Sequence, residues 1–426
     1  MKKVLSILLL LSLSISLVFA GGSGESASSG SNTMQVLMSQ EPTTGDAFYL
    51  TLQKWSEETG NNLDLIIIPY DDQLTKFPLM ARNKEVPDLI ATTRLAGLYP
   101  DEFIDMDEVV DFNNLEEAAV LQIGHDYKTN RNTSVPYQFT ITNVFYNKTA
   151  FDKAGLEAPT VDEPWTLDEL YENAKLLMEK GGVKYGIAMD NSRARYDNLL
   201  YMYGGAVTAR DGDSFKVVVG SPEAIAALEK FVEWNETVMP KAIWAGGTTD
   251  NPANYFKNGD VGIYFSGSWN YFSFQQEIDS FEWGVMPSPI GPAGGSAILG
   301  GTGLAIPKDA RNKDLAIEFI KWFYEDEDNF YYFLSRDKGL SSVKGITYTP
   351  EDEKVAYDYS VLQSEVGKVQ DAKNVDTAAN WTSYYDNEYR EMIHQVVNGD
   401  FSAEQGLKEF GERLAKKAGW KNEYPL

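Results

Sequence analysis

The chain of 426 residues contains no cysteine. That excludes disulfide staples, thiol nucleophiles, iron–sulfur clusters and cysteine-ligated zinc. Histidine is nearly as scarce. His125 and His394 are the only two and lie far apart in sequence, so a histidine-ligated metal or a His-based triad has little material. Positive charge is also in deficit: Lys plus Arg number 37 against 63 Asp plus Glu, a net charge of −26. Such a field repels a duplex or an anionic membrane surface, so no nucleic acid is expected among the partners. Enzyme signatures are missing as well. There is no G-x-x-x-x-G-K-[ST] phosphate loop, no G-x-S-x-G elbow and no D-x-[DN]-x-[DN]-G calcium loop. Gly301-Thr302-Gly303 runs into a strand and Pro307 rather than a helix, which argues against a dinucleotide site. The carboxylates of Asp101 to Asp111 and Glu325 to Asp328 read as solvated faces, with no spacing that selects a catalytic pair. No metal and no cofactor are expected.

What is present is globular: 43% apolar residues and 23% charged, on a length that favours two to three domains. The N-terminus reads as a targeting signal. Lys2 and Lys3 precede an apolar run from Val4 to Val18, and Val18-Phe19-Ala20 offers a small-x-small cleavage site. Residues 1–20 are therefore expected to be removed, with an uncleaved anchor as the alternative. Cleavage takes away two Lys and no acid, moving the net charge from −26 to −28. Residues 21–32 (GGSGESASSGSN) have linker composition.

From Thr33 strands and helices alternate. Phe48, Leu52 and Trp55 mark one helix face and Leu63 to Ile68 a buried strand. Val86-Pro87-Asp88-Leu89-Ile90 turns into another strand, a βαβ rhythm that implies a parallel-rich sheet covered by helices. The rhythm restarts near Thr140. Asn143 to Tyr146 reads as a strand, Thr166 and Glu169 as a capping box, Asp211-Gly212 as a hairpin tip and Ser221-Pro222 as a helix start. Strands are expected at Val261 to Phe265, Gly284 to Met286 and Leu304 to Ile306, and the last third is helical.

Aromatic residues are abundant, with 24 Tyr, 21 Phe and 9 Trp. A sugar has apolar C–H faces and a polar rim, so its site wants flat rings beside acids, amides or Arg. Four places supply that mixture at expected loops or element ends: Tyr137-Gln138; Arg193 to Tyr196; Ser268-Trp269-Asn270-Tyr271; and Trp381 with Tyr384 and Tyr385. Trp269 stands out because it follows Ser266-Gly267-Ser268 at a strand end.

Several segments, taken together in order, resemble the extracellular sugar-binding proteins of bacterial ATP-binding-cassette importers, the group that includes maltodextrin-binding protein. They are VPDLI (Val86 to Ile90), VPYQFTITNVFYNKTAFDKAGL (Val135 to Leu156), PWTLDEL (Pro164 to Leu170), ARDGDSFKVVVGSPEAIAALE (Ala209 to Glu229), FKNGDVGIYFSGSW (Phe256 to Trp269), WGVMPSPIGP (Trp283 to Pro292), GGTGLAIPKDARNKDLAIEFIKWF (Gly300 to Phe323) and NGDFSAEQGLKEF (Asn398 to Phe410). Many relatives carry a lipid-attachment Cys after the signal peptide; here Gly21 stands in its place.

The resemblance implies an α/β, two-lobed periplasmic-binding-protein-like fold with a hinge and an interlobe ligand cleft. The expected lobes are 33–142 with 287–338, and 143–286 with 339–426. It implies a secreted, non-catalytic monomer in the periplasm or outside the cell, which captures a sugar and delivers it to a membrane permease. It places Trp269 and Trp381 as cleft aromatics, Asp190 and Asn191 at a strand end facing the crevice, and Gly300 and Gly301 where backbone approaches ligand. Gln40, Glu41, Thr92, Thr93 and Arg94 would line the N-terminal side, joined by Tyr137 and Gln138. Arg193, Tyr196, Tyr271 and Tyr384 complete the expected set. Two other readings stay open: a secreted glycosidase or lyase, and a binding protein for a non-sugar solute.

Overall fold

The computed structural model describes residues 32–39, 41–42, 46–69, 72–92, 95–127, 129–246 and 250–426. The expected signal peptide and all of the expected linker except Asn32 lie outside these. Its centre is one long strand. Val135–Asn147 (VPYQFTITNVFYN) is buried at nearly every position, the pattern of a strand covered on both faces. Around it the principal strands are β1 (Thr33–Met38), β2 (Asn62–Ile67), β3 (Leu89–Thr92), β4 (Val135–Asn147), β5 (Tyr185–Met189), β6 (Val261–Gly267), β7 (Trp283–Met286) and β8 (Leu299–Ala305). The order is β2-β1-β3-β8-β4-β6-β5, with β7 also on β4. β1 runs parallel to β2 and β3, and β5 parallel to β6; β8, β6 and β7 are antiparallel to β4.

β4 changes partners part-way along. Its residues up to Ile141 pair with β8, whereas Thr142 to Asn147 pair with β6 and β7. One strand therefore belongs to two sheets, each with its own core. Side chains alternate across a strand, and the cores follow that period. Val36, Leu89 and Leu304 pack with Leu52, Trp55, Phe319 and Phe323 on one face of the first sheet. Leu37, Ile90 and Ala305 pack with Phe77 and Phe103 on the other. In the second sheet Val144, Ile187, Ile263 and Phe265 meet Leu170, Phe231 and Leu407, while Phe145, Ala188 and Tyr264 meet Phe256 and Phe274.

Local signals behave as their chemistry dictates. Thr166 and Glu169 form a reciprocal capping box, Ser221 caps a helix with Pro222 in its first turn, and Gly155 closes Lys148–Ala154 at φ 69°. Asp211 and Ser214 flank the hairpin turn.

The chain passes between the two sheets three times, and backbone hydrogen bonds mark the passages. The first falls at Ile141/Thr142. For the second, Ser288 N bonds Glu365 Oε1 (3.0 Å), Ile290 N bonds Trp165 O and Ala293 N bonds Met202 O. Residues 287–297 thus stay with the second body, and the chain passes over only as it enters β8. For the third, Leu340 N bonds Phe139 O and Lys344 N bonds Asn114 O (2.9 Å), so the first body keeps the chain through Lys344.

Candidate functional site

β6 ends on Gly267, and two residues later Trp269 precedes the Asn270–Glu277 helix. A Cβ added at Gly267 would sit 1.8 Å from the Trp269 ring. The indole can therefore lie flat on backbone only because residue 267 has no side chain. Trp269 remains 47% exposed, which leaves much of the ring surface for a partner. The Arg195 guanidinium lies 5.6 Å from its ring centroid. Arg195 is itself buried, donating from one nitrogen to Ser266 O and to Thr142 Oγ1.

Beside the platform stands Asp190, at the carboxyl end of β5. It accepts from Ser266 Oγ (2.6 Å) and from the Tyr264 hydroxyl, and Asn270 Nδ2 donates to the same Ser266 oxygen at 2.6 Å. Burial pushes the Asp190 carboxyl up, against the opposing pull of Arg195 and its two hydroxyl donors. This gives a flat apolar surface next to an acid, an amide, a hydroxyl and a guanidinium, none of which is free to wander.

The first body answers with a second polar group. Gln138, on β4, donates to Asp337 Oδ1 (2.7 Å) and accepts from Thr302 Oγ1 (3.2 Å). Burial, with the nearby Asp46 charge adding to it, pushes the Asp337 carboxyl up to about 6; the Gln138 bond opposes. Asp46 caps the Ala47–Thr59 helix through Tyr49 N (2.8 Å), and burial raises its pKa too.

Two ties bring these groups to one junction. Lys338, next to Asp337, donates to Gln275 Oε1 on the helix that Trp269 precedes (3.0 Å). Ser268 N bonds Ile141 O (3.0 Å), three residues along β4 from Gln138. At about 3.3 Å per residue that spacing is roughly 10 Å, on the scale of a sugar ring with its hydroxyls.

The remaining expected residues scatter. Asn191 Oδ1 meets His394 Nε2 (3.1 Å). Arg193 is tied to Asp197 and Asp386, each at 2.6 Å, and lies 5.2 Å over Trp381. Glu41 is exposed. Gln40, Thr93 and Arg94 lie outside the described residues; Thr92 closes β3, and its side chain lies outside them as well.

Four of the expected aromatics are buried. Trp381 is 1% exposed and meets Tyr389 and Phe410 edge-on, so its ring offers no open face. Tyr196 is fully buried against Phe231. Tyr271 is buried and donates to Asp358 (2.7 Å). Tyr137 stacks on Phe48 at 4.4 Å inside the first core. Tyr384 is exposed but stands edge-on to Trp420, whose ring also meets Phe215 of the Ser214–Val217 strand. The glycines serve the sheet. A Cβ at Gly301, where φ is 142°, would lie 1.9 Å from Gln138 O, and Gly300 faces Thr140 Oγ1. Both allow β8 to approach β4, with a register shift just after, at Thr302/Gly303.

The expected set omits Arg195, Ser266, Asn270, Asp46 and Asp337. Arg195 and Asn270 fall inside two of the aromatic segments singled out above, without a signal that separates them from their neighbours. Asp46 has a signal of its own, as an Asp immediately before an amphipathic helix. Among the described residues no group of three or more His, Asp or Glu is placed to hold a metal ion.

Comparison with known proteins fits this geometry. The profile of the bacterial extracellular solute-binding proteins matches residues 34–330. The diacetylchitobiose binding protein DasA of Streptomyces coelicolor is 24% identical over 223 residues, 48% of this chain and 50% of that one. The chain spans about half the length of the curated relatives it matches first, 46% to 50% of them. The maltose-bound MalE3 of T. maritima superposes with a TM-score of 0.74 at 19% identity, covering 90% of this chain and 99% of that one. The ABC substrate-binding protein Lmo0181 of Listeria monocytogenes, in complex with cycloalternan, gives 0.72 at 19%, covering 91% and 99%. At such identity the likeness establishes the fold: two α/β lobes with a hinge and a cleft between them.

Proposed function

We infer, for a chain that belongs to the bacterial extracellular solute-binding proteins, that it captures a carbohydrate in the cleft and delivers it to the permease of an ATP-binding-cassette importer. The observation that carries this reading is Trp269, half exposed and seated flat on Gly267 beside Asp190, Ser266, Asn270 and Arg195. Aromatic faces take the C–H side of a sugar, and fixed acids and amides take its hydroxyls. Across the junction, Gln138, Thr302, Asp337 and Asp46 are the lining residues of the other lobe. Relatives and neighbours that bind diacetylchitobiose, maltose and cycloalternan support a sugar over other solutes.

The lobes we propose are 33–141 with 299–344, and 142–298 with 345–426. Ligand touching both lobes stabilises the closed arrangement by its differential affinity, and hinge closure around ligand is the general motion of periplasmic binding proteins. The protein acts as a monomer outside the cytoplasm and leaves its ligand chemically unchanged.

A thermal-shift panel of neutral mono- and oligosaccharides tests this. A bound sugar at 100 times its dissociation constant adds about 2.7 kcal/mol of stability. Chromatography of each hit after long incubation must return intact sugar. Cleavage products would replace the receptor with a glycosidase or lyase, and a panel without a hit would remove the sugar.

A further inference from the structure

The two crossings at Thr142 and Ile298 lie side by side, and a buried polar knot joins them. Thr142 N donates to Ile298 O (3.1 Å), and Ile298 N points back to Thr142 Oγ1 (2.9 Å). Two more donors converge on that hydroxyl: Arg195 Nη1 at 3.2 Å and Asn198 Nδ2 at 3.1 Å. Ser296 Oγ donates to Asn198 Oδ1 (3.3 Å). Thr142, Arg195, Asn198 and Ser296 are each at most 4% exposed.

Two features are unusual. A hydroxyl has two acceptor lone pairs, yet three donors aim at this one. Arg195 Nε has no partner, although it is buried. An orphaned buried polar atom is costly, and this one lies at the place where the lobes must turn on one another. A buried polar network shared by both crossing strands specifies one arrangement of the two, and losing the Thr142 hydroxyl or the Arg195 guanidinium would release it. Arg195 also reaches the platform, standing 5.6 Å from the Trp269 ring.

We propose that the Thr142–Arg195–Asn198–Ile298 knot sets the angle between the lobes, and that Arg195 is its positioning residue, carrying the state of the Trp269 platform into both crossing strands. The inference rests on the two-lobe receptor reading above. Trp269 is where ligand stacks; Arg195 connects that event to the hinge; Thr142 and Ile298 are the strands that turn.

The test needs no ligand. Because the chain has no cysteine, Glu57→Cys with Glu229→Cys, both exposed and one on each lobe, accepts a pair of spin labels without background. The parent should give one dominant interlobe distance by pulsed dipolar spectroscopy. Thr142→Val, which keeps the shape and removes the hydroxyl, and Arg195→Met should broaden or split that distribution, while Thr142→Ser should match the parent. Trp269→Ala should shift it in the same direction as Arg195→Met, and the double variant should go no further than Arg195→Met alone. A role confined to stability would lower the melting temperature and leave the distances untouched. Parent-like distances in folded Thr142→Val and Arg195→Met overturn the proposal, and parent-like distances in Trp269→Ala overturn the relay. Should either knot variant lose its cooperative melt, Ser296→Ala, which removes one bond at the edge, decides: broadening supports the knot, and no change overturns it. A sugar panel without a hit would sink the ligand reading and leave these distances to stand on their own.

Discussion

Gly267→Ala is the smallest change that should abolish the platform, and it does so without touching a ligand-facing atom. The new Cβ would lie 1.8 Å from the Trp269 ring, so the indole must leave its seat. The strand itself does not object, because Gly267 is not among the positive-φ glycines. Trp269 is 47% exposed, which for a side chain of this size is on the order of 100 Å² of open surface. Covered by ligand at about 25 cal/mol/Å², that surface is worth roughly 2.5 kcal/mol gross. Allowing about half to survive the cost of ordering gives ~1.4 kcal/mol, a tenfold loss of affinity. Stability should fall slightly: the ~1–2 kcal/mol of packing given up by the displaced indole outweighs the ~0.4–1 kcal/mol that Gly→Ala gains through the unfolded chain. Trp269→Ala should lose the same affinity and, because only its seated half is buried, about 1–2 kcal/mol of stability, under the ~3–5 of a core Trp. Titration calorimetry with the sugar found in the panel, run beside thermal melts, reads both. Wild-type affinity in folded Gly267→Ala would refute the reasoning, since no platform could then have been displaced.

Trp381→Ala should cost about 3–5 kcal/mol of stability, as expected of a ring 1% exposed against Tyr389 and Phe410; a urea midpoint close to wild type would return Trp381 to the candidate platforms. Asp376→Ala should cost a similar ~3–5 kcal/mol, because it strands buried donors from Tyr201 OH, Val207 N and both the N and Oγ1 of Thr208, now 2.6–3.1 Å from the carboxylate; guanidinium unfolding checks it. Asp337, raised from 3.8 to about 6 in the fold, supports stability that is complete below about pH 4 and lost as pH rises through 6. Asp337→Asn should therefore gain on the wild type between pH 4 and 7, by at most about 2 kcal/mol after allowing for part exposure, and parallel pH–stability curves would contradict that.

The two-sheet architecture is legible wherever local pattern and tertiary outcome coincide. Apolar runs at β1, β2 and β3, the Thr166–Glu169 box and the Ser221-Pro222 start each encode their structure within a few residues. The expected boundary at 142/143 lies within one residue of the partner switch in β4. The other two expected boundaries, at 286/287 and 338/339, lie at element ends, and the chain beyond each is held by backbone bonds to Trp165, Met202, Phe139 and Asn114, partners that no local periodicity announces. The Arg193–Met202 helix escapes a pattern-based reading because its burial is nearly complete all round, which leaves no amphipathic stripe to find.

The aromatics show where composition stops being informative and what could replace it. Trp269 and Trp381 look alike as ring-bearing residues at element ends, and each immediately precedes a helix. They differ in what the neighbouring backbone permits. Gly267 two positions earlier gives Trp269 a flat seat at the surface, whereas Trp381 follows Asn380, a helix C-cap at φ 47°, and its ring is packed among Tyr389 and Phe410. The polar partners follow the same logic. Asp190 would be just another acid if Tyr264 and Ser266 did not rise beside it on the parallel neighbour β6, and Gln138 acquires Asp337 only because the chain returns after β8 to place a helix end beside β4. A platform is therefore recognised less by its ring than by the absent side chain beneath it, and a cleft acid by the donors that hold it; both are properties of neighbours brought together by the sheet.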